Sequence, residues 1–368
     1  MTNIHRLVRA LLYPVLACVV ASCSTEAPPE TADLTRYTLQ HDGLEREYFV
    51  FLPSAYDAGR QSPVAVFMHG YGGSATGTEA EVTNGLTRYA EEFGYIMVFP
   101  QGTWFMSDGA PGERWEVTSW NHITDGLDRG PEGPICEPDA EIFPCPPECG
   151  DCGQCGWASC NDDVGFLRKL VARMAEDFAV HEQRVYITGF SNGAMMAHRM
   201  GCEASELFAA AALVGGRLEP GFECTPATPL PLLQINGGVD EVVPFDGRAT
   251  ESGYYYASAA ATATYWNFGA ACADKTENWM SPTLADAVVS CTIACRGSDR
   301  ESIDCLWPEG DHRWPGTPGA RGSNGYCVTE LQAASMPDQA ICEEPDPNQE
   351  TWGSRLLFEF FDKHQGEQ

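Results

Sequence analysis

The chain has 368 residues, room for one large α/β domain or two small ones, and its 43% hydrophobic and 11% aromatic content is globular rather than disordered. Its formal charge is −30, from 52 acidic against 22 basic residues, with lysine only at Lys169, Lys275 and Lys363. Such a chain repels nucleic acid and anionic lipid headgroups, which excludes both as partners and leaves neutral ligands, or ligands bound despite their charge.

Residues 1–22 read as an export signal. His5, Arg6 and Arg9 form a basic start, and Leu7 to Ala21 is an apolar run too short to span a bilayer comfortably. The run ends Val20-Ala21-Ser22-Cys23, which resembles a bacterial lipoprotein signal with Cys23 as lipid attachment and mature N-terminus. Cys18 is the poorer site, because apolar Val19-Val20-Ala21 follow it, and ordinary cleavage after a small residue is the alternative. Any membrane association is then through the lipid alone. Residues 23–34 are polar with Pro28-Pro29 and read as a tether. Setting aside Cys18 and Cys23 leaves 14 of 16 cysteines, an even number that predicts disulfides in an oxidising compartment.

From Thr35 the chain alternates strands and helices. Asp42-Gly43 predicts a hairpin turn leading into Tyr48–Leu52. Val64–Met68 is a buried strand, the face Leu86, Tyr89, Ala90, Phe93 a helix stopped by Gly94, and Tyr95–Phe99 the next strand. Asp163 is the expected cap of a helix with the stripe Phe166, Leu167, Leu170, Val171, Met174 and Phe178. Further strands are expected at Val185–Thr188, Ala209–Val214, Leu230–Ile235 and, last, Ile303–Trp307, before an amphipathic helix at Trp352–His364. This order predicts a mainly parallel sheet with helices on both faces. Thr103 to Cys160 breaks the rhythm: it has almost no periodicity, many Pro and Gly, and six cysteines, so residues 131–160 are expected to be a Cys-rich insertion stapled by disulfides. Cys149, Cys152, Cys155 and Cys160 have metal-like spacing, but the export signal favours disulfides, and no metal or cofactor is expected.

The strand Val185–Thr188 runs into Gly189-Phe190-Ser191-Asn192-Gly193 and then a helix-favouring run from Ala194 to Met200. Strand, sharp turn, helix is the context in which G-x-S-x-G lifts a serine hydroxyl above the sheet as a nucleophile. The serine needs a base, and in this arrangement the chain order is serine, acid, histidine. After Ser191 only His198, His312 and His364 remain. His198 lies two turns along the elbow helix and His364 on the closing helix, whereas His312 sits in a loop just after the last strand. His312 is therefore the expected base. Asp240 is the first carboxylate past the strand Leu230–Ile235 and the expected acid, with Glu241 and Asp246 as alternatives. The oxyanion donors are expected to be the amides of Asn192 and of Tyr71, in the loop His69-Gly70-Tyr71-Gly72-Gly73, with His69 bracing that loop.

These motifs, with Val98-Phe99-Pro100-Gln101-Gly102, Asp162-Asp163-Val164-Gly165-Phe166-Leu167, Gly238-Val239-Asp240-Glu241-Val242-Val243-Pro244-Phe245 and His312-Arg313-Trp314-Pro315-Gly316, resemble the polyhydroxybutyrate depolymerase and feruloyl esterase group of α/β-hydrolases. The resemblance runs from about Tyr37 to Phe361 and keeps the motif order. It implies an α/β-hydrolase catalytic domain over residues 35–364 and an exported serine carboxylesterase with Ser191, Asp240 and His312 as triad. The loop from Trp120-Asn121 to Asp162 is longer and richer in cysteine than in that group, and Asn236-Gly237-Gly238 replaces its usual His-Gly. The pair Cys202–Cys224 is also implied by the resemblance, and Cys272–Cys295 in the same way. Cys291 and Cys305 flank the Gly297-Ser298-Asp299 turn as a hairpin pair, which leaves Cys327–Cys342.

The substrate expected is an ester on a polymer, feruloyl-polysaccharide ahead of polyhydroxybutyrate, with a polysaccharide acetyl ester as alternative. The loop indoles Trp104, Trp115, Trp120, Trp157 and Trp314 are either loop packing or a stacking surface, with Trp314 and Trp120 the expected pocket residues. The contrasting class is a non-catalytic surface-tethered binding protein on a hydrolase scaffold.

Overall fold

The computed structural model describes residues 34–76, 85–107, 116–123, 129–317, 327–328, 340–341 and 351–365. The expected leader 1–22, the expected attachment residue Cys23, nearly all of the expected tether and Cys342 of the expected pair Cys327–Cys342 lie outside them. In chain order the elements are β1 (Thr35–His41), β2 (Leu44–Phe51), β3 (Ser62–Met68), α1 (Leu86–Phe93), β4 (Ile96–Pro100), β5 (Thr103–Met106), β6 (Glu116–Ser119), β7 (Arg129–Gly130), β8 (Gly133–Pro134), α2 (Asp163–Asp177), β9 (Val180–Phe190) and α3 (Asn192–Glu203). They continue with β10 (Ala210–Val214), β11 (Leu232–Gly237), α4 (Ala259–Trp266), β12 (Thr276–Trp279), β13 (Ser290–Ala294), β14 (Ser302–Trp307), β15 (Cys327–Val328), β16 (Ala340–Ile341) and α5 (Trp352–Lys363).

Ten strands form one sheet in the order β1-β2-β4-β3-β9-β10-β11-β14-β13-β12. The six from β4 to β14 run parallel, and an antiparallel pair closes each edge. Side chains alternate across the pleat, so each central strand feeds two cores. On one face Val64, Val66, Met68, Val185 and Ile187 pack under α2 and α3. On the other, Ala65, Phe67, Tyr186, Val214 and Ile235 meet α1 and the Leu356-Leu357-Phe358 and Phe360-Phe361 run of α5. This is an α/β-hydrolase sheet: parallel, covered on both faces, with its loops gathered at the carboxyl ends of the strands.

Three local expectations are corrected. Asp162, not Asp163, caps α2, its Oδ1 accepting the Gly165 amide at 2.9 Å. Asp163 is wholly buried, bound to the Arg46 guanidinium at 2.7 Å and to the Asn121 amide at 2.7 Å. The stretch from Thr103 is not without structure, since β5 and β6 pair as an antiparallel ribbon. Trp307 does not end the last strand, because β15 and β16 follow as a short parallel pair.

The insertion is tied by three disulfides, Cys136–Cys155, Cys145–Cys152 and Cys149–Cys160. It supplies Ile135, Cys136, Cys155 and Trp157 to a third core against Leu218, Val243, Tyr254 and Tyr256. Its backbone also pairs with the 252–255 segment, through Glu137 N–H to Gly253 O at 2.8 Å and Tyr255 N–H to Ile135 O at 2.9 Å. Elsewhere Cys202–Cys224, Cys272–Cys295 and Cys291–Cys305 are joined, the last directly opposite each other across β13 and β14.

Candidate active site

Ser191 is the single residue between β9 and α3, with φ 54° and ψ −123°. A side chain at positive φ costs on the order of 1–3 kcal/mol and persists only where its surroundings over-determine it. Here the Ser191 amide donates to Val214 O at 3.0 Å and its carbonyl accepts from Met195 N–H at 3.0 Å, so the turn is tied to β10 and to the helix. The flanking glycines are steric necessities. A Cβ on Gly189 would lie 2.4 Å from the Gly193 carbonyl carbon, and one on Gly193 would lie 2.1 Å from Met68 O.

Two loops bring the partners in. The loop after β11 carries Asp240 and the loop after β14 carries His312, and backbone bonds from Gly238 N–H to Trp307 O (2.8 Å) and Val239 N–H to Gly310 O (3.0 Å) fasten them together. His312 Nε2 lies 2.9 Å from Ser191 Oγ, and His312 Nδ1 lies 2.8 Å from Asp240 Oδ2. Asp240 Oδ1 accepts from the amides of Val242 (2.9 Å) and Val243 (2.8 Å), so both carboxylate oxygens are engaged. Burial alone would raise the Asp240 pKa, but His312, the Val243 amide and Arg217 outweigh it, and the net shift is downward. Asp240 stays an anion, which is what an imidazole base needs behind it.

The other two histidines after Ser191 are elsewhere. His198 is buried in α3 against Trp266, and burial lowers its pKa to about 3. His364 lies 3.2 Å from Glu301 at the end of α5. Asp246 is paired with Arg248 at 2.9 Å.

Behind Asp240 stands Arg217, a residue that the sequence reading passed over. It is buried, its guanidinium donating to Asn236 Oδ1 and, at 2.5 Å, to Val243 O. Burial lowers its pKa to about 10 against the pull of Asp240 and Asp304, so it remains a cation at neutral pH. The available signal was two charged residues, Arg217 and Glu219, directly after the buried strand β10.

The loop carrying Tyr71 touches the elbow from the β3 side, where a Cβ on Gly70 would lie 3.3 Å from Ser191 Cβ. His69 braces it: the imidazole Nε2 accepts the Gly102 amide at 3.0 Å, and Nδ1 faces Gly70 O at 2.8 Å. Burial lowers its pKa to about 4, so it is neutral. The Tyr71 ring packs edge-on against Phe143 and Trp157 of the insertion, at 5.6 Å and 5.5 Å between centroids. Asn192 opens α3, fully buried, with its amide at the positive end of the helix.

Trp120 and Trp314, expected as pocket residues, are both buried, and neither is among the residues that line the cleft beside His312. Trp120 is 0% exposed and donates its indole N–H to His69 O at 3.0 Å; Trp314 is 3% exposed and donates to Ser354 Oγ at 2.9 Å. Burying each indole with a bonded N–H is worth more than leaving it at a wet rim. Trp115 lies outside the described residues, and Trp104 is exposed on β5. The open space beside His312 is a cleft of about 820 Å³ whose walls include Glu137, Asp139, Glu141, Glu241, Glu251 and Asp311. The insertion thus builds one wall of that cleft. Among the described residues no cluster of three or more His, Cys, Asp or Glu is arranged to hold a metal ion, and no helix is long and apolar enough to cross a membrane.

No family model matches the chain. It is 30% identical over 189 residues to NocK of Nocardia uniformis subsp. tsuyamanensis, which carries an esterase name; the match covers 51% of this chain and 43% of that protein. It is 27% identical over 210 residues to feruloyl esterase B of Piromyces equi, covering 56% of this chain and 31% of that protein. The chain therefore spans less than half of the length of either relative. Among solved structures it is similar to an acetyl xylan esterase from Aspergillus awamori, at 15% identity and a TM-score of 0.45 over 76% of this chain and 94% of that one.

Proposed function

We propose that the protein is an exported serine carboxylesterase that hydrolyses esters carried on a polymer, with feruloyl esters of plant cell-wall polysaccharide as the leading substrate class. The observation that carries this reading is the unbroken hydrogen-bond chain Asp240–His312–Ser191 on a strained elbow. In the mechanism, His312 Nε2 takes the Ser191 proton as Oγ attacks the ester carbonyl, and Asp240 stabilises the imidazolium through Nδ1. The amides of Asn192 and Tyr71 take the oxyanion of the tetrahedral intermediate. His312 returns the proton to the departing alcohol, and water releases the acid from the acyl-enzyme by the same steps.

The acyl class comes from the likeness to feruloyl esterase B. The carboxylate-walled cleft agrees with it, since the ester enters neutral while the acid product leaves as an anion repelled by those walls. An insertion wall beside His312 suits a single side-chain ester rather than a flat polyester surface. Export is supported by the disulfides, which persist in oxidising compartments, and by the leader-like residues 1–22, with Cys23 as lipid anchor.

The test is fluorophosphonate labelling followed by peptide mapping, together with a panel of methyl ferulate, acetylated xylan, polyhydroxybutyrate granules and p-nitrophenyl esters. The label is expected on Ser191 and the highest kcat/KM on methyl ferulate, after correction for leaving group. An unlabelled protein would mean a binding scaffold. Cleared granules with no ferulate released would make it a polyester depolymerase, and acetate release alone an acetyl esterase.

A further inference from the structure

A second imidazole lies on the other side of the elbow, and the mechanism above does not use it. His122 is 1% exposed and Glu219 0% exposed, and His122 Nε2 lies 2.9 Å from Glu219 Oε1. The second carboxylate oxygen, Oε2, has no hydrogen-bond partner among the described residues. A buried carboxylate held at one oxygen does not stabilise a fold by itself.

The other side of the imidazole shows what the pair is fastened to. Asn192 Oδ1 accepts the Trp120 backbone N–H at 2.7 Å. A backbone amide only donates, so this contact fixes which end of the carboxamide is oxygen. The Asn192 amino group then donates to Trp120 O at 3.2 Å and faces His122 Nδ1 at 3.0 Å. Facing a donor, Nδ1 must carry the lone pair, which puts the ring proton on Nε2, pointing at Glu219. The tautomer follows from geometry alone.

We infer that Glu219, His122 and the Asn192 side chain form a positioning relay that holds the Asn192 amide in the oxyanion hole. The Asn192 side chain bonds both the N–H and the C=O of Trp120 and is backed by His122. Trp120 in turn holds the loop that bears Tyr71, through His69 O. The two proposed oxyanion donors, on α3 and after β3, are thereby clamped to one rigid segment. That segment is gripped again by Asp163, at the Asn121 amide (2.7 Å), and by Arg199, at Asn121 O (2.7 Å). Carboxylate–imidazole–side chain is the same construction as Asp240–His312–Ser191, but here the terminal group orients a backbone donor and touches no substrate.

This inference rests on the esterase reading for its kinetic test and not for its structural one. In the full chain with ¹⁵N-labelled histidine, the His122 ring is expected to show a protonated Nε2 and a bare Nδ1 at neutral pH. The opposite tautomer, or a doubly protonated ring, would overturn the relay whether or not any ester is cleaved. In the ester assay His122→Phe, which keeps a ring against Trp157, is expected to lower kcat by about 10- to 100-fold, somewhat less than deleting an oxyanion donor outright. KM should stay within about threefold, and affinity for a boronic acid that forms a tetrahedral adduct on Ser191 should fall by the same factor as kcat. Glu219→Gln should keep activity within about threefold, because a carboxamide oxygen still accepts the Nε2 proton. In an Asn192→Ala background His122→Phe should cost nothing further. Additive losses, a change in KM alone, or wild-type boronate affinity in His122→Phe would overturn it. Should His122→Phe not fold, Asn192→Ala decides: it must mix the His122 tautomers, and an unchanged ring spectrum counts against the relay. A wild-type protein inactive on every ester sinks the esterase reading and leaves the tautomer result standing by itself.

Discussion

The indole N–H of Trp314 donates to Ser354 Oγ at 2.9 Å, which ties the loop bearing His312 to the first turn of α5. Trp314 also packs edge-on against Phe67 at 5.5 Å and Phe190 at 6.3 Å, and Phe190 lies 4.9 Å from the His312 ring. An indole two residues from the proposed base is therefore part of the core. Trp314→Ala should destabilise the fold by about 3–5 kcal/mol and lower activity on all esters together. Denaturant melts and kcat/KM on methyl ferulate and p-nitrophenyl acetate check this. A loss confined to ferulate with unchanged stability would return Trp314 to the pocket.

Ser191→Ala should reduce turnover by several orders of magnitude with stability unchanged, leaving roughly 10³–10⁴-fold over water from oxyanion stabilisation and binding. Ser191→Gly should be equally inactive but melt higher. Position 191 holds φ 54°, and the strain a side chain pays there, on the order of 1–3 kcal/mol, exceeds the extra unfolded entropy of glycine, about 0.5–1 kcal/mol. Equal melting of the two variants would mean that the elbow stores no strain.

Stability should fall steadily on acidification below about pH 6.5. Burial lowers His69 to about 4 and His198 to about 3, from an ordinary 6.5. The unfolded chain then binds protons that the native state refuses, so their contribution is complete above pH 6.5 and declines as pH falls toward those folded values. Glu301 adds to this lower down. Burial would raise its pKa, but His364, Lys363 and the Gly297 amide bring it to about 2 from 4.5, so its contribution is present above 4.5 and lost toward 2. Denaturant titrations at a series of pH values should show His198→Leu flattening the slope between pH 6.5 and 4, and Glu301→Gln flattening it only below 4.5. A His198→Leu slope equal to wild type would remove His198 from the account.

The cleft walls should discriminate by charge. Glu137, Asp139, Glu141, Glu241, Glu251 and Asp311 surround the approach to His312. At low salt a cationic ester should show a kcat/KM about tenfold or more above that of an isosteric anionic ester, and the gap should narrow by 0.5 M salt, where the screening length is roughly 4 Å. Glu241→Lys with Glu251→Lys should shrink it further. A ratio indifferent to both salt and these substitutions would mean that the ester reaches Ser191 by another route.

By itself the sequence determined what local pattern and chain order control. Short unbroken apolar runs marked the central strands, stripes at helical spacing marked α1 and α2, and a helix-favouring run after the elbow marked α3, since burial on both sheet faces or on one helix face is written in local residue pattern. The glycines at 189 and 193 marked the elbow, since no other residue fits where a Cβ would meet the Gly193 or Met68 carbonyl. Chain order then singled out Asp240 and His312, because a parallel sheet delivers its loops to one edge in sequence. Tertiary structure decided what depends on neighbours distant in the chain. Trp120 and Trp314 read equally well as pocket or core until His69 O and Ser354 Oγ supplied their partners. Asp162 and Asp163 are adjacent, and only Arg46 and the Asn121 amide drew the second into the interior. His122 and Glu219, 97 residues apart, carry no shared motif. Their pairing arises because α3 and the loops after β6 and β10 converge on one buried carboxamide, which no residue spacing encodes.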